Sequence, residues 1–501
     1  MPGAWGPAGA ILAAAILAGL PALRGRFLSG DDRQFVLNFA LVNHPSFAHA
    51  RELLTLKANR DLYQPVPLLS FALDFAVARA IGLGEGGFRG IGLREPSDRE
   101  PSHGEIGLRE PSYRGLSYAP GESAEAAAWL FHLKNVLIHA INALLVWQLI
   151  RRVHEDPRVA LAAALLFAVH PMAVEPTAWI SGRMTSLSAF FCLAALNAFA
   201  AWQRRPRPAP VLLGIACVVL AMASKVQIGL PVLMILLAPA CRRTPEAARS
   251  GVLAPGGGQE GRCRSSSPQA MWWGVVATCV LITIGFALLD MHLTSRMSFL
   301  AAGAEALRGS RLARTLLALG WYFQRFVWPA GLASFHPAPS LVTWSQPGVI
   351  AAAITVAAVL IVVGVSLRWS RVGVLGLAWF LATVAATLPL VPSRNVLAAE
   401  RYAYLPNVGL FWMTAAFAVF AYHRLAARGT AAAWALRAGG LPRNLNLLGS
   451  LVGAVGILSL VPGLTDLLTG VFGLSQIVWF VWLGIVLLRS SQTVIAHAQK
   501  G

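Results

Sequence analysis

The chain has 501 residues, 56% of them hydrophobic and only 13% charged, with a formal net charge of +19. Soluble proteins carry about 25% charged residues, so this composition excludes an ordinary soluble domain. Several apolar runs reach the roughly 20 residues that cross a bilayer, and the arginines sit mainly in the short loops between them. Positive-inside insertion and anionic head groups explain those arginines, which leaves no role for nucleic acid as a partner.

The first apolar run, Ala8 to Leu23, has almost no basic flank, and Pro21-Ala22-Leu23-Arg24 is a poor cleavage site. It reads as an uncleaved first helix. Asp31-Asp32 follows directly, either as a solvated loop start or as a functional carboxylate pair. From Arg33 to Ala128 the chain is polar and mixed. Within it, Pro65 to Gly82 is apolar but carries Asp74 and Arg79, so it lies along the surface or packs on the bundle. Residues 84–120 repeat Ile-Gly-Leu-Arg-Glu-Pro-Ser at 91–97 and 106–112. Such a Gly-, Pro- and Ser-rich stretch buries too little apolar surface to order itself, and it reads as a disordered insertion in the first outer loop.

The second span runs from about Trp129 to Ile150. Its His132, Asn135, His139 and Asn142 share one helical stripe, which in lipid must face protein or a water-filled cavity. Interhelical hydrogen bonding is the simpler reading of the stripe. Arg151-Arg152 marks a cytoplasmic end. A third span, Arg158 to Val169, leads into His170 to Arg183, and a fourth ends at the basic loop 203–207. Val211 to Ala223 and Ile228 to Ala240 flank Ser224-Lys225-Val226-Gln227, residues 242–270 form a cytoplasmic linker, and another span covers Met271 to Leu289. The run Leu316 to Leu332, with Arg325 inside it, is expected to hug the outer leaflet, because only then do Arg368 to Arg371 and His423-Arg424 all fall inside. Spans Val349 to Leu367, Val372 to Leu390 and Tyr404 to Tyr422 follow, then a hairpin of Leu447 to Val461 and Val471 to Leu488. The expected fold is all-α, a bundle of about 11–13 transmembrane helices. Its organisation is a membrane domain over 1–424 and a C-terminal hairpin over 425–501.

Five cysteines (Cys192, Cys217, Cys241, Cys263 and Cys279) are odd in number and lack CxxC or His-paired spacing, so neither a disulfide framework nor a zinc site is expected. The topology gathers Asp31-Asp32, His170 to Arg183, Lys225 and Glu400-Arg401 on the non-cytoplasmic side. An acidic pair beside cations suits transfer of a sugar from a lipid phosphate. One carboxylate takes the acceptor hydroxyl's proton, and cations hold the phosphate as charge develops on it. Asp31 or Asp32 is the base and Arg183, Lys225 and Arg401 form the clamp. The alternatives are a transporter or flippase of lipid-linked sugars, which gathers charges at similar faces, and an inactive membrane scaffold.

Several stretches in one order carry a family resemblance: Ser29 to Asp32, Tyr63-Gln64-Pro65-Val66-Pro67, Phe131 to Val146, His170 to Arg183, Ser224-Lys225 and Ala399 to Pro406. Together they resemble the N-terminal region of the TMTC-type membrane O-mannosyltransferases and their bacterial relatives. The resemblance implies a GT-C glycosyltransferase fold using a polyprenyl- or dolichyl-phosphate sugar, typically mannose. It further implies a protein or glycan acceptor, an acidic motif in the first outer loop as base, and no cofactor or metal. His132, Asn135, His139, His170, Glu175, Glu400 and Tyr402 fall in the matching stretches as supporting residues. A bacterial member would sit in the inner membrane with its site facing the periplasm, a eukaryotic one in the endoplasmic reticulum membrane. Two departures stand out. Val226 follows the lysine where the family usually has Glu, and extra spans stand in place of the helical repeat tail of animal members.

Overall fold

The computed structural model describes residues 5–28, 30–56, 63–83, 122–241, 268–294, 308–390 and 396–427, with isolated positions after 443. The insertion at 84–120, most of the 242–270 linker and nearly all of the C-terminal hairpin lie outside the described residues. The protein is an all-α, multi-pass membrane protein. Among the described residues, five helices are long and apolar enough to cross a bilayer, or six if a bent pair counts as one span. The chain divides into two compact units, Met1–Ala415 and Ala416–Gly501.

Helix α1 (Trp5–Gly19) continues through a 3-10 turn to Arg24. After it, Gly30 takes a left-handed φ of +80°, a conformation open to glycine at little steric cost. That reversal starts a wide π-helical turn, Asp32–Leu37, in which Asn38 N–H reaches back five residues to Arg33 O. Such turns are rare and tend to occur at functional sites. Short helices α2 (Ala40–Asn43) and α3 (Phe47–Leu53) lead on to α4 (Pro65–Ala80). Helix α4 packs on the bundle rather than facing lipid. Its Phe71 and Phe75 join Phe27 and Phe131 in one buried cluster, the Phe75 and Phe131 rings 5.0 Å apart.

Helix α5 (Glu122–Val153) is the axis of this unit and packs against α1, α6 (Pro157–Val169) and α8 (Arg183–Arg204). At 1.5 Å per residue its 32 residues reach about 48 Å, well beyond a roughly 30 Å hydrocarbon core. Asp156 caps α6 by accepting from Arg158 N–H, and Pro157 occupies the first turn, where its missing donor costs nothing. The chain then breaks at His170-Pro171 and resumes, bent by 61°, as far as the short α7 (Val174–Ala178). Helices α9 (Pro208–Met222), α10 (Leu230–Cys241) and α11 (Pro268–Thr294) complete this side.

Helix α12 (Arg311–Val327), capped by Ser310, packs along α13 (Pro347–Ser366), followed by α14 (Val372–Val384). It is strongly amphipathic and is not among the apolar membrane-crossing helices. Two short β-ladders organise the loops beyond it. One of them pairs His336–Pro337 antiparallel with Val396–Ala398. The chain then turns through α15 (Glu400–Ala403) into α16 (Asn407–Ala427). Helices α14 and α16 touch backbone to backbone, since a Cβ on Gly376 would stand 2.5 Å from Gly409 O. Close approach through small residues is how helices gain van der Waals contact in lipid, where burial from water supplies no drive.

Candidate functional site

The two aspartates stand in different environments. Asp32 is fully buried, and its carboxylate accepts from Leu28 N–H (2.9 Å), Ser181 N–H (2.9 Å) and Ser181 Oγ–H (2.5 Å). It therefore ties the π-helical turn to the loop before α8. Asp31 is half-buried, and its side chain makes no hydrogen bond among the described residues. Burial pushes its carboxyl above the ordinary aspartate range, and Arg401 and Lys225 pull it partly back. Burial also raises Asp32, against the opposing hydrogen bonds from Ser181 and Leu28.

The two cations whose charges act on Asp31 share an aromatic ring. Lys225 Nζ lies 5.0 Å from the centre of the Tyr402 ring and donates to Thr185 Oγ1 at 2.9 Å. Arg401 Cζ lies 5.0 Å from the same ring and 5.4 Å from that of Trp179. Glu175 fixes Arg401 at two points, accepting from its backbone N–H at 2.7 Å and from Nη1 at 2.5 Å. Nη1 also donates to Ser334 O. The elements explain the convergence. After the bend at Pro171 comes α7, and the turn from Val396–Ala398 into α15 presents Arg401 to it. A Cβ on Gly182 would stand 2.8 Å from Glu175 O, so the chain folds back tightly between the two.

Arg183, close enough to Asp32 to act on its charge, bonds other partners. It is fully buried, with Nε on Asn135 Oδ1 (2.7 Å), Nη2 on Phe131 O (2.8 Å) and Nη1 on Asp74 and Ser70. Lys134 completes the ion cluster on Asp74. The guanidinium also stacks over Phe71 at 4.5 Å. A buried charge of this kind persists only when paired, and these partners take four of its five N–H donors. Asn135, His139 and Asn142 of the polar stripe on α5 are likewise bonded internally. Asn135 donates to Trp179 O and Ile180 O, His139 bonds Tyr404 Oη (2.8 Å) and Ala168 O, and Asn142 donates to Ser186 O. His132 packs on the backbone of Gly25, where a Cβ would stand 2.8 Å from its Nε2. His170 accepts from Met172 N–H and donates to Phe326 O at 3.0 Å, holding the bend.

Thus Asp31, Asp32, Glu175, Lys225, Arg401 and Tyr402 come together, whereas Arg183, Asn135, His139 and His170 bond to other parts of the bundle. Glu400 is buried behind Arg401 and accepts from Ala333 N–H (2.8 Å) and His336 Nε2 (3.2 Å). Sequence reasoning did not single out Ser181, Thr185 or Trp179, although all three lie within or beside a stretch that it quoted. It also missed the partnership of Asp74 and Lys134 with Arg183. The signal there was a lone Asp on an apolar helix, which in lipid demands a partner. Among the described residues no three His, Cys, Asp or Glu side chains gather as a metal-binding set.

No family model and no solved structure matches the chain. Segments of it are similar to protein O-mannosyl-transferases. Mouse TMTC3 is 33% identical over 104 residues, which is 21% of this chain and 11% of that protein. Mouse TMTC1 is 40% identical over 75 residues, 15% of this chain and 8% of the relative. Human TMTC4 is 38% identical over 76 residues, 13% and 10% respectively. The chain thus covers between 8% and 11% of the length of these relatives.

Proposed function

We propose that the chain is an integral-membrane glycosyltransferase of GT-C type. It moves a sugar, mannose, from a polyprenyl- or dolichyl-phosphate donor to a hydroxyl of a protein Ser/Thr or of a glycan, on the non-cytoplasmic face. The observation that carries the reading is Asp31, a carboxylate without a hydrogen bond among the described residues, whose charge is offset by Arg401 and Lys225. The partial similarity to protein O-mannosyl-transferases supports the same class.

In this reading the acceptor oxygen bonds to the anomeric carbon as the bond from that carbon to the phosphate oxygen breaks. Polyprenyl phosphate leaves with the electron pair, and Asp31 receives the hydroxyl proton. A base whose carboxyl sits above the ordinary range holds a proton more readily, which favours the transfer. Arg401 and Lys225 face the phosphate as its charge grows, and fixed cations in a dry site need no reorganisation to do so. Asp32 shapes the loop that presents Asp31. Arg183 braces α4, α5 and α8 and leaves the donor-binding set to Lys225 and Arg401. Trp179 and Tyr402 offer aromatic faces to a sugar ring.

The test is transfer of radiolabelled mannose from polyprenyl phosphate to a Ser/Thr peptide by the purified protein in lipid nanodiscs. Asp31→Asn is expected to abolish it. Absence of transfer by the wild type from every lipid-phosphate sugar would refute the activity.

A further inference from the structure

His336 belongs to none of the sequence stretches that pointed to the site, yet the fold carries it there. The ladder sets His336 opposite Ala398, two residues before Glu400, and Arg401 Nη1 bonds Ser334 O in the same loop. The loop and the Glu400-Arg401 corner are therefore joined on both sides of the imidazole. Glu400 is 2% exposed. One oxygen takes Ala333 N–H and His336 Nε2, and the other, Oε2, is buried with no partner among the described residues. A carboxylate held this deep with an orphaned oxygen is costly, and such groups persist where function requires them. Its geometry orients the ring of His336, whose far face lies against Trp321 with centroids 4.5 Å apart. The imidazole stays 21% exposed, and its Nδ1 has no hydrogen-bond partner among the described residues.

A carboxylate that fixes one ring nitrogen and leaves the other open makes an imidazole aimed at a ligand. Nε2–H donates to Glu400, so Nδ1 is the atom a ligand meets. With its second proton the ring presents a charged N–H, suited to an anionic oxygen. We propose that His336 is a further phosphate-binding group of the site, acting beside Arg401, with Glu400 as its positioning residue. The inference rests on the glycosyltransferase reading for the identity of the phosphate, a polyprenyl-phosphate headgroup. It adds a third residue, from a different loop, to the pair around Tyr402.

The experiment uses the full chain in nanodiscs and two readouts, the affinity for undecaprenyl phosphate without sugar and the kinetics of mannose transfer. His336→Ala is expected to weaken undecaprenyl phosphate binding and raise donor KM about tenfold or more, the scale of one charge-assisted hydrogen bond. Over the same change kcat stays within about twofold, since a lost ground-state contact moves KM. His336→Lys, which keeps a cation, is expected to recover most of the loss, and Glu400→Gln to fall between wild type and His336→Ala. Binding of uncharged undecaprenol should be unchanged in all three. Unaltered lipid-phosphate affinity in His336→Ala, or a Lys variant as weak as the Ala variant, would overturn the inference. A wild type that binds undecaprenyl phosphate through His336 but transfers no sugar would refute the activity and leave the phosphate contact standing.

Discussion

Replacing each aspartate of the pair by asparagine separates a chemical role from a structural one. At Asp32, asparagine keeps one oxygen and turns the other into an NH2 group. If the oxygen stays on the two Ser181 donors, the NH2 meets Leu28 N–H, and two donors oppose each other in a fully buried place. A buried donor left unsatisfied costs about 1–3 kcal/mol, so Asp32→Asn should lower the unfolding midpoint in nanodiscs. Asp31 has no such bonds to lose. Its folded-state pKa is raised, so at neutral pH the charged form opposes folding, and that penalty fades as pH falls through the raised value. Asp31→Asn removes the penalty and should melt no lower than wild type. Transfer should instead fall by about 10²–10⁴, the usual scale for a lost general base. The assays are thermal unfolding and radiolabelled mannose transfer on the same preparations. An Asp31→Asn protein that keeps wild-type transfer, or one destabilised as much as Asp32→Asn, would refute the division of roles.

Three more expectations follow from the same contacts. Transfer should decline toward acid as Asp31 gains its proton, with a midpoint above the ordinary value of 3.8, and Arg401→Gln should move that limb to higher pH by removing a charge that lowers the Asp31 pKa. A pH–rate series on both proteins checks the direction. Arg183→Ala strips Asp74 of one of its two cations and should cost about 3–5 kcal/mol, seen as loss of folded protein in a thermal or denaturant series. Tyr404→Phe deletes the hydroxyl shared by His139 and Asn142 and should cost about 0.6–2 kcal/mol by the same measurement, with mannose transfer preserved.

What could be read in advance depended on how local each contact is. The stripe on α5 was legible from spacing alone, because residues three and four apart share a helix face, and its role as interhelical hydrogen bonding follows from lipid as solvent. The Asp31-Asp32 pair was legible as a pair. Its division was not, since Ser181, which takes hold of Asp32, lies 149 residues away. Arg183 shows the same limit. At a span end it looks like Lys225 or Arg401, and only the packing of α4 reveals Asp74 against it, 109 residues earlier in the chain. His336 sits in a loop whose sequence carries no periodic signal, and its neighbours come from distant parts of the chain, Ala398 through the ladder and Glu400 through its carboxylate.

The bond between His139 and Tyr404 joins residues 265 apart, and Asn142 reaches the same hydroxyl. At about 5–20 residues per second of synthesis, α5 waits on the order of 10–50 s for that partner to emerge. Glu175 waits nearly as long for Arg401, 226 residues later. Throughout that interval the nascent chain holds polar groups at membrane depth that the finished bundle satisfies. Synthesis past Tyr404 is therefore expected to complete these contacts, and chains truncated before it should be less stable in the membrane than the full chain.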